Sequence, residues 1–244
     1  MVDFPCYKFQ LKITSTIDNF NKKHLSTNKL YISQTITSDE LQSLPRKEAE
    51  TKLKPFLNLI IKNLSSYYIK FSEQMYDIPS TNNNKNNKDN NSWEKAKMDE
   101  MISTTGLFYM AIKHDDGKHH DDDITVGFLS FLMTQESITG DKKHDRILYL
   151  MEIHLDKFLF SGKGTGIFLV EDFLFELCFL LKMDLEFVCF KENDIGNKFY
   201  KKMGIDMLEE KKYPQLNFWF EFLNVYRIEN KLIETRQKKK RINR

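Results

Sequence analysis

Apolar residues along this chain change their period several times, and each change predicts a change of element. Residues 30–36 read as a first strand. Ser38-Asp39-Glu40 then opens a helical pattern that runs to Met75, with Pro45 and Pro55 predicted to interrupt it. A further helix is predicted over 93–101. Dense apolar runs of strand length follow at 107–113, 124–133 and 147–156. Residues 164–183 read as a long apolar helix, 185–190 as a strand and 195–203 as a short helix, and 205–208 with 216–228 form a terminal hairpin. Antiparallel strands that lead into a strand–helix–strand crossover predict an α/β domain with a mixed central sheet flanked by helices. No internal repeat interrupts this order.

Composition narrows the class. A chain of 244 residues, 41% hydrophobic, can bury a sizeable core. Its net charge of +2 removes overall charge as an argument for nucleic-acid binding. Three cysteines are too few and odd in number for a disulfide framework. Cys178 and Cys189 lie in apolar runs, as buried reduced thiols do, which points to a reducing compartment. No positively charged start followed by an apolar stretch marks a secretory signal. The greasiest segment, 167–183, carries Glu171, Asp172 and Glu176, so no membrane span is expected.

Two stretches read as insertions. Seven of the eleven residues 81–91 are Asn, a composition that buries too little apolar surface to offset chain entropy and is predicted to be disordered. Residues 114–123 are rich in His and Asp but lack metal-ligand spacing, so a solvated hairpin tip without a metal is expected. The predicted division is a strand and helical extension packed on the core over 1–80, the insertion over 81–91, a core over 92–230 and a basic tail over 231–244. That tail, dense in Lys and Arg from Arg236 on, suits nuclear import, a contact with chromatin or the ribosome, or simple solubilisation.

Three of the nine glycines fall within Gly162-Lys163-Gly164-Thr165-Gly166, between a strand-like run and the helix that opens at Ile167. Glycines let backbone approach a ligand closely, and the amides that open a helix are unpaired donors at the positive end of a dipole. The turn is not a P-loop, because no glycine stands five positions before Gly162-Lys163. Nor is it a dinucleotide fingerprint, because Ile167 and Leu169 stand where glycine is required. What remains is an anion cradle or a plain helix-capping turn.

Downstream, Asn193-Asp194-Ile195-Gly196-Asn197-Lys198-Phe199-Tyr200-Lys201-Lys202-Met203-Gly204-Ile205 resembles, together with the glycine turn, the second half of the GNAT acetyltransferase core. The resemblance covers about residues 93–228 and departs at Ser161, where the family prefers Arg or Gln. Within that superfamily, Trp93 to Met101, Leu148 to Leu155 and Cys189 to Asn193, with the preceding Leu64 to Tyr76, look like the NatD branch, which acetylates histone N-termini. The resemblance implies a GNAT fold with acetyl-CoA as co-substrate and no metal. The pyrophosphate would lie on the amides of Gly162, Lys163, Gly164, Thr165, Gly166 and Ile167, the pantetheine along Ile153, His154 and Leu155, and Asn193 would bond the cofactor.

It also implies direct transfer of acetyl to the N-terminal serine amine of histone tails, in cytoplasm and nucleus. Alternatives are a lysine or small-amine acetyltransferase and a non-catalytic module that binds acyl-CoA or a histone tail. An α-amine has a reference pKa of about 7.7–8.0 and is partly neutral already, so little base strength is needed. Glu152 is the candidate base, directly or through water, against a merely substrate-binding or exposed carboxylate. Tyr200 is the candidate acid for the leaving thiolate, against simple packing on the cofactor. Amides near Ile153 are candidates to polarise the thioester carbonyl. His154, on the same strand face as Glu152, reads as a structural hydrogen-bonding residue. Tyr76, Trp93, Thr134, Met151, Val188 and Phe220 are the expected substrate contacts; the branch prefers an acid near Thr134 and tyrosines at Met151 and Phe220. Glu136, Asp206, Glu209 and Glu210 are candidate partners for a basic tail.

Overall fold

The computed structural model describes residues 6–78, 92–115, 125–140, 146–156 and 164–242. Among these residues, six strands form one sheet in the order β1 to β6: β1 (Leu30–Thr37), β2 (Phe108–His114), β3 (Thr125–Thr134), β4 (Ile147–Leu155), β5 (Asp184–Phe190) and β6 (Leu223–Ile228). Neighbours are antiparallel except β4 and β5. The parallel pair is joined through helix α6, residues 165–181, which is α-helical over Thr165–Phe168, π-helical over Leu169–Leu174 and α-helical over Phe175–Leu181. The mixed sheet flanked by helices expected from sequence is therefore what the chain forms.

Both faces of the sheet are covered. On β2, Met110 and Ile112 pack on one side with Ile13 and Phe20 of helix α1 (Cys6–Asn28) and Phe173 and Leu174 of α6. Tyr109 and Ala111 face the other side. There they meet Leu41 of α2 (Ser38–Ser43), Leu53, Phe56 and Ile60 of α3 (Arg46–Lys70), and Trp93 and Met101 of α5 (Ser92–Ser103). Burial on two faces is why these strands read as continuous apolar runs. A short α4 (Ser72–Tyr76) ends the α3 arm. After β5 come α7 (Asp194–Lys202), α8 (Asn217–Phe220) and α9 (Asn230–Ile242).

Four sequence expectations are corrected. Helix α1 precedes the first strand; its buried stripe of Ile13, Thr16, Phe20 and His24 is half polar, which hides it from an apolar-periodicity search. Pro55 sits inside α3 without ending it, since Leu53, Phe56, Leu57 and Ile60 anchor the helix on both sides of it. The terminal hairpin is reduced to one bridge between Met207 and Tyr226, and residues 217–220 turn helical before β6 begins at Leu223.

The basic segment is also structured, as helix α9. Ile233 is fully buried, Arg241 and Lys240 pair with Glu176 and Glu171 of α6, and Arg236 donates to the carbonyls of Met203 and Gly204. Much of its charge is thus engaged within the molecule. The Asn-rich stretch 81–91 and most of the His/Asp stretch, 116–123, lie outside the described residues. Among the described residues, no helix is long and apolar enough to cross a membrane, and no cluster of metal-ligating side chains occurs.

Candidate active site

The site starts from a fault in strand pairing. Ser130 of β3 lies opposite Glu152, but its neighbour Phe131 lies opposite Leu150, so Met151 is an extra residue on β4. Such a bulge bends its strand and breaks the ladder locally. On the other edge, β4 pairs with β5 only from Ile147↔Asp184 to Leu150↔Phe187. Past that point β4 stays with β3 to Leu155, while β5 stays with β6 to Phe190. The sheet thus splits at the bulge, and among the described residues no strand lies against the β5-facing edge of 151–155.

A cavity of about 630 Å³ fills the split. One wall is Met151 to Asp156, the opposite wall Val188, Cys189, Phe190 and Asn193, and one end is Gly164, Thr165, Gly166 and Ile167 at the start of α6. Gly164 opens that helix with φ +77°, in the left-handed region that glycine occupies without strain, and its carbonyl accepts from the amides of Ile167 and Phe168. Helix geometry leaves the Thr165 and Gly166 N–H groups without intrahelical acceptors. At the opposite wall Asn193 caps α7, its Oδ1 accepting from Gly196 N at 3.1 Å.

The other end carries charge. Glu152 Oε1 accepts from Lys97 Nζ at 2.7 Å and from the Tyr68 hydroxyl at 3.0 Å, and Oε2 faces His154 Nε2 at 2.8 Å. Burial pushes this carboxyl up, but the Lys97 charge and the His154 hydrogen bond outweigh burial and hold it down at about 2. Lys97 also reaches Glu100 Oε1 at 2.8 Å, and the Tyr76 hydroxyl donates to Glu100 Oε2 at 2.7 Å. Burial works against the Lys97 charge, yet Glu100 and Glu152 raise its pKa well above the ordinary lysine value, so the ammonium persists. Asn63 Nδ2 donates to the Leu155 carbonyl and faces His154 Nδ1 at 3.2 Å. That carbonyl fixes the amide orientation, so His154 accepts at Nδ1 and donates Nε2–H to Glu152.

Several sequence-predicted residues meet at this cavity: Glu152, Ile153, His154, Leu155, Gly164, Thr165, Gly166, Ile167, Asn193, Tyr200, Tyr76, Met151 and Val188 line it. Gly162 and Lys163 lie outside the described residues. Three expected substrate contacts are not in its wall. Trp93 is buried behind Tyr68, ring on ring at 5.0 Å. Thr134 ends β3, where its hydroxyl accepts from Glu136 N. Phe220 is helical rather than in the final strand and packs into a satellite cluster with Leu216 and Val225; Trp219 and Leu223 reach the cavity instead. Glu136, Asp206, Glu209 and Glu210 also stand outside the wall, and the last two pair with Lys212 and Lys191.

The two candidate catalytic groups sit in defined surroundings. Glu152, the candidate base, already accepts from Lys97, Tyr68 and His154, and these partners hold its carboxyl below the ordinary carboxylate range. The Tyr200 phenol is packed between Phe187, Phe199 and Tyr226, and burial drives its pKa well up. Sequence reasoning missed Lys97, Glu100 and Tyr68. The i,i+3 spacing of Lys97 and Glu100 was visible, but such a pair ordinarily marks a solvated helix face.

No family model and no curated protein matches the chain. Among solved structures, PaiA N-acetyltransferase from Thermoplasma acidophilum in complex with coenzyme A is similar at a TM-score of 0.44 and 11% identity, covering 82% of this chain and 98% of that one. The spermidine/spermine N-acetyltransferase SpeG from Vibrio cholerae gives 0.45 and 13%, covering 86% and 99%. NAA60 from Arabidopsis thaliana, in complex with a bisubstrate analogue, gives 0.39 and 10%, covering 68% and 94%.

Proposed function

We propose that this chain is an acetyl-CoA-dependent acetyltransferase of the GNAT type that acetylates a protein N-terminus, with the serine amine of histone tails as substrate. The observation that carries the reading is the separation of β4 from β5 beyond Leu150 and Phe187. It leaves an extended edge able to pair with an amide-bearing chain, as added strands do, and it ends at helix-opening amides suited to a diphosphate. These residues fit coenzyme A: the edge of 151–155 for pantetheine, Thr165 to Ile167 for phosphate, and Asn193 alongside.

Acetyl-CoA would supply a thioester acyl group and a thiolate leaving group. The chain's own contribution is to hold the acceptor near the bulge at Met151, where free amides can face a developing oxyanion, and to exclude water with Met151, Val188 and Phe190. An α-amine is partly neutral near pH 7.5 and needs no strong base, which agrees with a site whose central carboxylate is already paired. Cytoplasm and nucleus are the proposed compartments, and any chromatin or ribosome contact would use the charges of α9 left exposed.

The test is a peptide that begins with serine and carries an internal lysine, incubated with acetyl-CoA and sequenced by mass spectrometry. Acetyl on the α-amine supports the reading. Acetyl on lysine alone, or equal labelling of an N-terminally blocked peptide, overturns it.

A further inference from the structure

We infer that Glu100, not Glu152, is the carboxylate that receives the acceptor's ammonium group before its proton is lost to solvent and the neutral amine reacts, with Lys97 as a positioning residue that holds both carboxylates. This rests on the cavity being a transferase site.

The argument is one of hydrogen-bond capacity and charge. Glu152 has donors on both oxygens, from Lys97 and Tyr68 on one and His154 on the other, and its side chain is 10% exposed. That leaves Glu152 one open acceptor place, on Oε2. Glu100 faces the same cavity from α5 with its side chain 27% exposed, and each of its oxygens carries one recorded donor, Lys97 or Tyr76. A carboxylate oxygen accepts two bonds readily.

The charges do not cancel. Glu100 and Glu152 together carry two negative charges against the one ammonium of Lys97, and His154 turns Nδ1 to the amide of Asn63. The other charged wall residues stand elsewhere: Asp156 follows the end of β4 and pairs with Lys62, and Lys202 is the last residue of α7. One uncompensated negative charge therefore sits among Tyr68, Tyr76 and apolar walls, where a charge interacts more strongly than in water. A primary ammonium supplies the missing charge and three donors. A neutral or anionic acceptor would leave the surplus in place.

Glu100→Gln preserves shape and keeps an oxygen for Lys97, and Glu100→Asp keeps the charge. Calorimetry of CoA-loaded protein with a serine-initiated tetrapeptide, free or N-acetylated, reads binding without turnover. The wild type is expected to prefer the free amine at least tenfold, Glu100→Gln to lose that preference, and Glu100→Asp to retain part of it, all with unchanged CoA affinity. In a transfer assay KM for the peptide should rise about tenfold in Glu100→Gln, with kcat within about threefold. Equal binding of free and blocked peptide by the wild type, or an undiminished preference in Glu100→Gln, overturns the inference. Binding of the free amine through Glu100 without any transfer would instead sink the transferase reading and leave this one standing.

Discussion

Lys97 on α5 and Glu152 on β4 form an ion pair 2.7 Å long, with side chains only 3% and 10% exposed. It ties the helix that follows the Asn-rich stretch to the strand that borders the cavity. Two charges taken out of water are sustained by each other, so removing one strands its partner. Lys97→Met should cost about 3–5 kcal/mol in urea unfolding, whereas the double variant Lys97→Met/Glu152→Gln should cost clearly less than the sum of the two singles. Additive losses would mean that the pair is not coupled.

Acid stability follows from the same carboxyl. Its pKa is about 2 folded against an ordinary 4.5, so the folded state binds fewer protons there, and the interaction favours folding above about pH 4.5 and is lost as pH falls through about 2. Asp172 acts in the same direction: burial raises it, but hydrogen bonds from His24, Lys23 and Lys240 hold it lower still. Between pH 4.5 and 2 the wild type should lose stability more steeply than Glu152→Gln, which no longer has that group to titrate. Parallel curves, followed by tryptophan fluorescence, would assign the acid transition elsewhere.

The pH dependence of transfer should report the acceptor and not Glu152. With the carboxyl ionised throughout pH 5–9, kcat/KM should rise through the pKa of the peptide amine and level above it. Glu152→Gln should lower the rate, by about tenfold if the cluster positions the acceptor, without moving that midpoint. A midpoint that shifts in the variant would mark Glu152 as the base.

Much of the fold was legible because its strands are buried on both sides. Runs such as Phe128 to Phe131 and Leu148 to Leu150 read as strands, Gly164 was marked by the glycine turn, and Asn193 by the resemblance to the GNAT core. What stayed hidden was set by tertiary contact. The polar half of the α1 stripe is tolerated because His24 bonds Asp172 across 148 residues of sequence. Lys97 is buried because Glu152, from a different element, meets it together with Glu100. Phe220 fell out of the strand because residues 217–220 turn helical, a local choice that its aromatic composition does not disclose.

The most direct test of the cavity's assignment is isothermal titration of CoA into the whole protein and into Gly166→Val. A Cβ at Gly166 would meet the Phe199 ring at 3.2 Å and Leu155 at 4.0 Å, at the end of the cavity where phosphate is expected. Saturable one-to-one binding by the wild type, weakened at least tenfold in a variant that still folds, is the expected outcome. No heat from CoA with the wild type, or equal affinity in both proteins, would contradict it.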